Sequence, residues 1–427
     1  MIRRATVSCF VVAAVLMILG CGGQTATRDE DSSDGGASKN TAEQAQADLE
    51  EKSGRSPEED GGTPQNGEGQ YTPVDVSNPV VHGSSYVAPL VEIFGVVRIG
   101  EHSFVASNTI LRASPDNRLE IGSETNAQDN IVIHALGTNS TIGDQTSIAH
   151  HAIIRDSDIG DFTFVGFNAE VVDATVGAGA FIQHGALVEG VEIPENAYVD
   201  VGQEITTQEQ ADVLPKAEPD TEEFRREVLE VNREFAEGYI ELYNGGEGYE
   251  DVIGAGPNPE TSFNREQVEP QIGEGTEMGE FARIEGDARV GENSEIGERT
   301  AIRADEGSPI IVGDRASIDD RVTFHALKGT DIRIGDELTA ADDVVLHGPL
   351  KMGEGISVEE EAVVFRVVVE DDVEIGEEAI IAGPAPEEEG GELPLRIREG
   401  MQIPAGAVIT SPEDLEALCD LIECPVE

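Results

Sequence analysis

The sequence predicts an all-β protein, two tandem left-handed parallel β-helices with a packed α-helix after the first. Three observations carry that reading. Aliphatic residues recur every six positions in both halves of a 427-residue chain. Glycine commonly follows them. Aromatics are scarce, with no Trp, six Tyr and 48 Gly, which suits thin β layers joined by tight turns.

The six-residue period is explicit. Val87, Ile93, Ile99, Val105 and Leu111 stand six apart, as do Ile159, Val165 and Val171, then Val176, Ile182 and Val188, then Ile193, Val199 and Ile205. The second half repeats this with Ile272, Met278, Ile284, Val290, Ile296 and Ile302, then Met352, Val358 and Val364, then Val369, Ile375 and Ile381. Steps between triplets are five or six. Neither 3.6 nor 2.0 explains a sustained six. Three hexads per coil do, each side of a triangular coil pointing one aliphatic residue inward, with coils stacking into a continuous core. Glycines such as Gly100, Gly122, Gly143, Gly297 and Gly353 are expected at the tight corners.

Residues 1–21 read as an export signal. Arg3 and Arg4 precede an apolar run from Val7 to Leu19, too short for a confident membrane span. Ile18-Leu19-Gly20-Cys21 resembles a bacterial-type lipobox, which implies lipidation of Cys21 and anchorage at the outer face of the cell membrane. Residues 22–70 are an acidic, polar tether. The first solenoid and its helix are expected over 71–243, a linker over 244–262 and the second solenoid over 263–427. The helix begins near Asp220-Thr221-Glu222-Glu223 and shows Phe224, Val228, Val231, Phe235 and Tyr239 at helical spacing. An acidic loop at Pro384–Leu395 interrupts the second solenoid, and a short helix around Asp414–Leu421 ends it. Cys419 and Cys424 could form a local disulfide or remain two thiols; no CxxC pair supports a thiolate zinc site.

With 27 Lys and Arg against 86 Asp and Glu, the formal net charge is −59. That excludes nucleic acid as a natural partner and suits a solvated surface in concentrated salt.

Function turns on histidine. His134 lies in Gln128-Asp129-Asn130-Ile131-Val132-Ile133-His134-Ala135-Leu136, and His325 in Asp319-Asp320-Arg321-Val322-Thr323-Phe324-His325-Ala326-Leu327. Before the latter comes Ile302-Arg303-Ala304-Asp305-Glu306-Gly307-Ser308-Pro309-Ile310, and after it Val345-Leu346-His347-Gly348-Pro349. With Val231-Asn232-Arg233-Glu234-Phe235-Ala236-Glu237-Gly238-Tyr239, these stretches closely resemble the gamma-class carbonic anhydrases, twice over from about residue 75 to 415. The resemblance implies reversible hydration of CO₂ to bicarbonate by a hydroxide on Zn²⁺ (or Fe²⁺), at an interface where one subunit of a trimer gives two His and its neighbour a third.

Carried over residue by residue, neither half is complete. The first has His134 and His150, but Arg155 where the third His belongs. The second has His325 and His347, but Asp342 in the second position. Together His150, His325 and His347 form a set, leaving His134, Arg155 and Asp342 as degenerate positions. The resemblance assigns Gln128 to orient the hydroxide, Asn232 to support it and Glu306 to accept the proton. Arg112 with Asp305 is the expected bridge between units, since Ser114 cannot answer Arg303. An alternative uses Asp342 as a ligand in a His-His-Asp site between two second halves. His82, His102, His151 and His184 carry no motif and are expected at the surface or at corners. The rivals are a non-catalytic β-helix assembly protein and a hexapeptide acyltransferase, which would need one general-base His and a coenzyme A groove. The implied partners are CO₂ and bicarbonate, a membrane surface and further copies in a homo-oligomer or pseudo-trimeric assembly.

Overall fold

Each aliphatic position of the six-residue repeat becomes a rung. In the computed structural model, which describes residues 79–88, 90–244, 254–386, 390–422 and 424, Ile133, Ile154, Val171, Val188 and Ile205 stack in parallel register through successive coils. All are buried in one core. From Ile154 onward the rungs are 17 residues apart, the sum of two steps of six and one of five. The signal, Cys21 and the tether at 22–70 lie outside the described residues.

The first solenoid closes three seven-stranded parallel sheets. The second has one seven-stranded sheet and one of 13 strands, because Val345–Met352 and Val363–Val369 run on round a corner and join two faces. No strand of one solenoid pairs with a strand of the other among the described residues. The fold is that of tandem hexapeptide β-helices.

The glycines act differently from expectation. Gly100, Gly122 and Gly143 do not have positive φ; a Cβ at Gly143 would meet Asp161 N at 2.5 Å in the next coil. They permit close stacking of coils, while the left-handed corners fall to residues such as Asn108 (φ 61°) and Asn130 (φ 60°), side chains that tolerate that region.

A short helix α1 (Gln208–Ala211) closes the first solenoid with a Thr207 capping box. Helix α2 (Pro219–Asn244) then runs back along it. Phe235 and Tyr239 stack on Phe104 and Tyr86 of the first solenoid, with centroids 5.5 and 5.0 Å apart. The returning chain passes so close that a Cβ on Gly238 would lie 2.9 Å from Glu260 O. Gly254–Gly256, within the stretch expected as linker, is a strand paired with Arg283–Gly286. Helix α3 (Pro412–Cys419), N-capped by Ser411, ends the second solenoid, and Cys419 and Cys424 are joined as a disulfide.

The solenoids meet corner to corner. Asn108 and Asn168 Nδ2 donate to Arg299 O (2.7 Å) and Glu361 O (2.6 Å), and Asn130 Nδ2 to Arg321 O (3.1 Å). Beside this seam lies an apolar cluster of Ala149, Phe164, Phe167 and Phe181 against Val345, Val363, Phe365 and Ile380.

Candidate metal centre

Strands Ala301–Ala304, Thr323–Ala326 and Val345–Met352 lie side by side, placing Arg303, His325 and His347 in one column. Their neighbours Ile302, Phe324 and Leu346 fill the core, so strand alternation turns this column outward, toward the first solenoid. There the corner after Ser147–Ile148 presents His150. His150, His325 and His347 are all buried, and one ring nitrogen from each lies within 4.8 Å of the others. His150 Nε2 is 3.3 Å from His325 Nδ1. Phe167 and Phe365 wall the cluster, 4.8 and 5.1 Å from His347.

The remaining nitrogens face protein acceptors. His150 Nδ1 is 3.3 Å from Asp129 Oδ2, His325 Nε2 is 3.2 Å from Asp305 Oδ1, and His347 Nδ1 is 3.0 Å from Gly348 O. Arg303 ties both carboxylates together, NH1 to Asp129 at 2.6 Å and Nε to Asp305 at 3.1 Å. Burial pushes His150 down to about 3 although Asp129 pulls the other way, and burial with the two neighbouring rings holds His347 well below the usual range. Asp129 and Asp305 resist their own desolvation and stay below the ordinary carboxylate range because of Arg303 first and then the imidazoles. His150 and His347 are therefore held neutral, and ionised carboxylates stand behind His150 and His325, the donor chemistry of a three-His metal centre. Gln128 Oε1 and Asp129 Oδ1 are buried with no hydrogen-bond donor, as a site fitted for a further group would have.

Glu306 Oε2 lies 3.7 Å from His325 Nε2, and its Oε1 accepts the Lys328 N–H at 2.7 Å. Burial raises its pKa, although His325 opposes this. Glu306 also lines a cavity of about 740 Å³ with Val228 and Val231 of α2 and with Phe263, Leu327 and Lys328, so one carboxyl touches both the cluster and an open cleft. Asn232 is buried, but its amide donates to Val228 O in its own helix at 2.8 Å.

The other column is unlike this one. Arg112, His134 and Arg155 are aligned on the first solenoid, where Arg155 pairs with Glu170 at 3.0 Å and burial, then Arg112 and Arg155, lower His134. Asp342 sits at a half-exposed corner, accepting the Asp320 N–H at 2.9 Å. None of these joins the cluster.

Two expectations need correction. Arg112 does not bridge to Asp305: it is exposed, near the Phe94 ring, because its column belongs to a face the second solenoid does not cover. Asp129 answers Arg303 instead. The second is the surface half of the reading of His151 and His184: both sit at corners, as expected, yet both are buried. His151 meets Thr323 Oγ1 at 2.9 Å across the seam, and His184 stacks 4.4 Å from Phe167. Asp129 was visible beside Gln128 in the motif; Tyr239, whose hydroxyl reaches Asp305, closes the Val231–Tyr239 stretch, but nothing in the sequence pointed to that contact.

No family model matches the chain. Over 172 residues it is 36% identical to the carboxysome assembly protein CcmM of Nostoc sp., covering 38% of this chain and 31% of that protein. Over 62 residues it is 37% identical to the mitochondrial gamma carbonic anhydrase 2 of Arabidopsis thaliana, covering 14% and 22%. The chain thus spans less than a third of the length of either curated relative. By fold the chain is a hexapeptide β-helix. Among solved structures, a putative acetyltransferase of Bacillus cereus is 26% identical, with a TM-score of 0.33 and coverage of 38% of this chain and 92% of that one. A hexapeptide transferase family protein of Anaplasma phagocytophilum is 25% identical, with a TM-score of 0.34 and the same coverage.

Proposed function

We propose that this protein is a carbonic anhydrase, interconverting CO₂ and bicarbonate at one site per chain built by both solenoids. The observation that carries the reading is the convergence of His150 from the first solenoid with His325 and His347 from the second. These residues would hold Zn²⁺ or Fe²⁺, and the ion would supply a Lewis acid that makes water acidic near neutral pH. Asp129 and Asp305 keep the rings beside them placed, and the Gly348 carbonyl orients His347. Gln128, with an unpartnered amide oxygen, is the proposed acceptor that orients attacking water. Glu306 takes the proton and passes it to the cleft that it lines. Phe167 and Phe365 give CO₂ an apolar approach. Asn232 supports the helix side of the site from its buried position.

Similarity to a carbonic anhydrase supports this reading, and similarity to an assembly protein favours the second one, a scaffold without catalysis. Metal analysis with CO₂ hydration assays in concentrated salt separates them. One metal per chain with activity, both lost in His150→Ala and in His347→Ala, is the expected result. Metal well below about 0.2 per chain, or a variant that keeps both metal and rate, overturns the proposal. We also propose that Cys21 is lipidated and holds the protein at the outer membrane face. Cys21→Ala should then move it from the membrane to the soluble fraction; unchanged partitioning would refute the anchor.

A further inference from the structure

Behind His325 lies a buried polar chain that crosses from the second solenoid to helix α2. The Tyr239 hydroxyl is 2.6 Å from Glu285 Oε2 and 2.5 Å from Asp305 Oδ2. Arg283 holds Glu285 Oε1 and also reaches the Tyr243 hydroxyl. Arg303 donates Nε to Asp305 and stands 4.0 Å from Glu285 Oε2. Glu285, Asp305, Arg283, Arg303 and Tyr239 are all buried.

Hydrogen counting decides what this geometry requires. A tyrosine hydroxyl has one hydrogen, and an ionised carboxylate only accepts. Two carboxylate oxygens cannot both receive that hydrogen, and an oxygen facing an oxyanion at 2.5 or 2.6 Å with none between is repelled. The trio therefore contains one more proton. Asp305 Oδ2, the oxygen that faces Tyr239, already accepts Arg303 Nε at 3.1 Å, so that position is filled by a donor. Glu285 Oε2 has no donor nearer than Tyr239. Charge counting agrees: with Glu285 neutral, Arg283 and Arg303 face Asp129 and Asp305, whereas with it ionised two cations face three anions away from water.

We infer that Glu285 is carried as a neutral carboxylic acid, donating to Tyr239, which donates to Asp305 and so holds that carboxylate against His325. Tyr239 is then a positioning residue, connecting helix α2 to the histidine cluster. Burial, with the nearby Asp305 charge, raises Glu285 although Arg283 and Arg303 oppose it, and Tyr239 and Tyr243 are raised by burial too. The proton on Glu285 follows from the hydrogen count and the positions of the donors; only the link from Tyr239 to metal retention rests on the function proposed above.

The test uses the full chain. Infrared difference spectra of metal-free protein at neutral pH, recorded in a Glu306→Gln background so that the other carboxyl raised by burial is silent, should contain the carbonyl stretch of a protonated, buried carboxyl. That band should be absent in Glu285→Gln and shifted in Tyr239→Phe. Glu285→Gln keeps an N–H donor toward Tyr239 and should retain zinc, in competition with a chelator, within about twofold of wild type. Tyr239→Phe should retain it about tenfold less tightly, the low end for loss of a ligand's supporting partner. A missing band, a band that survives Glu285→Gln, or zinc loss in Glu285→Gln as large as in Tyr239→Phe overturns the inference. If Tyr239→Phe fails to fold, the band and the Glu285→Gln arm still decide. If the wild type holds no zinc, the carbonic anhydrase reading fails, while the infrared result judges Glu285 separately.

Discussion

Glu306 shows how much one side chain's surroundings decide. It lies beside His325 and opens on a cleft, and desolvation raises its pKa although His325 opposes this. Glu306→Gln should cut CO₂ hydration about a hundredfold without loss of bound metal, and a small diffusible buffer such as imidazole should restore part of the rate. His184 is the complementary case, a ring with no part in the proposed chemistry. Burial first, and Arg366 second, depress it to about 3. Above the ordinary value near 6.5 the folded and unfolded chains are both neutral there, and its stability contribution is complete. As pH falls toward 3 the unfolded chain binds a proton that the folded chain refuses, so stability is lost with acidification. Thermal midpoints in constant salt should fall below about pH 6.5, and less steeply in His184→Gln. The three clustered histidines were legible because each sits in a local motif. The role of His184 and the pairing of Asp129 with Arg303 were not, since these surroundings depend on which face of one solenoid meets the other.

The solenoid itself was readable because a coil is a local object: its six-residue steps concern neighbours in sequence, and the register follows from them. The junction was not readable that way. Arg303 and Asp129 are far apart in the chain, and charge type alone offered Arg112 and Asp305 as an equally reasonable pair. Helix α2 was legible from its apolar spacing, but its second contact was not, because Tyr239 looks like one more aromatic of the buried stripe. The junction's dependence on Arg303 is testable. Arg303→Ala leaves Asp129 and Asp305 buried without their shared cation, and should destabilise the protein by about 3–5 kcal/mol in denaturant unfolding. A loss below about 1 kcal/mol would show that the carboxylates relax by other means.

Across the whole chain, one column of ring and guanidinium groups is covered and the other, Arg112, His134 and Arg155, is not. Two copies of one architecture have become unlike partners, so neither should work alone. Expressed separately, residues 71–243 and 254–427, the latter keeping the Gly254–Gly256 strand, should each fail to retain metal, and mixing them should restore it in proportion to their association. The net charge of −59 makes that association sensitive to ionic strength, because like-charged halves repel at low salt and are screened at high salt.

Helix α2 and the short return after it keep the halves on one polypeptide. A site shared between free subunits is dismantled by dilution, as subunits part faster than they meet. Here the second half is always present at the effective concentration set by its tether, of millimolar order for short connections. Dilution therefore leaves His150 opposite His325 and His347, whatever the number of copies nearby.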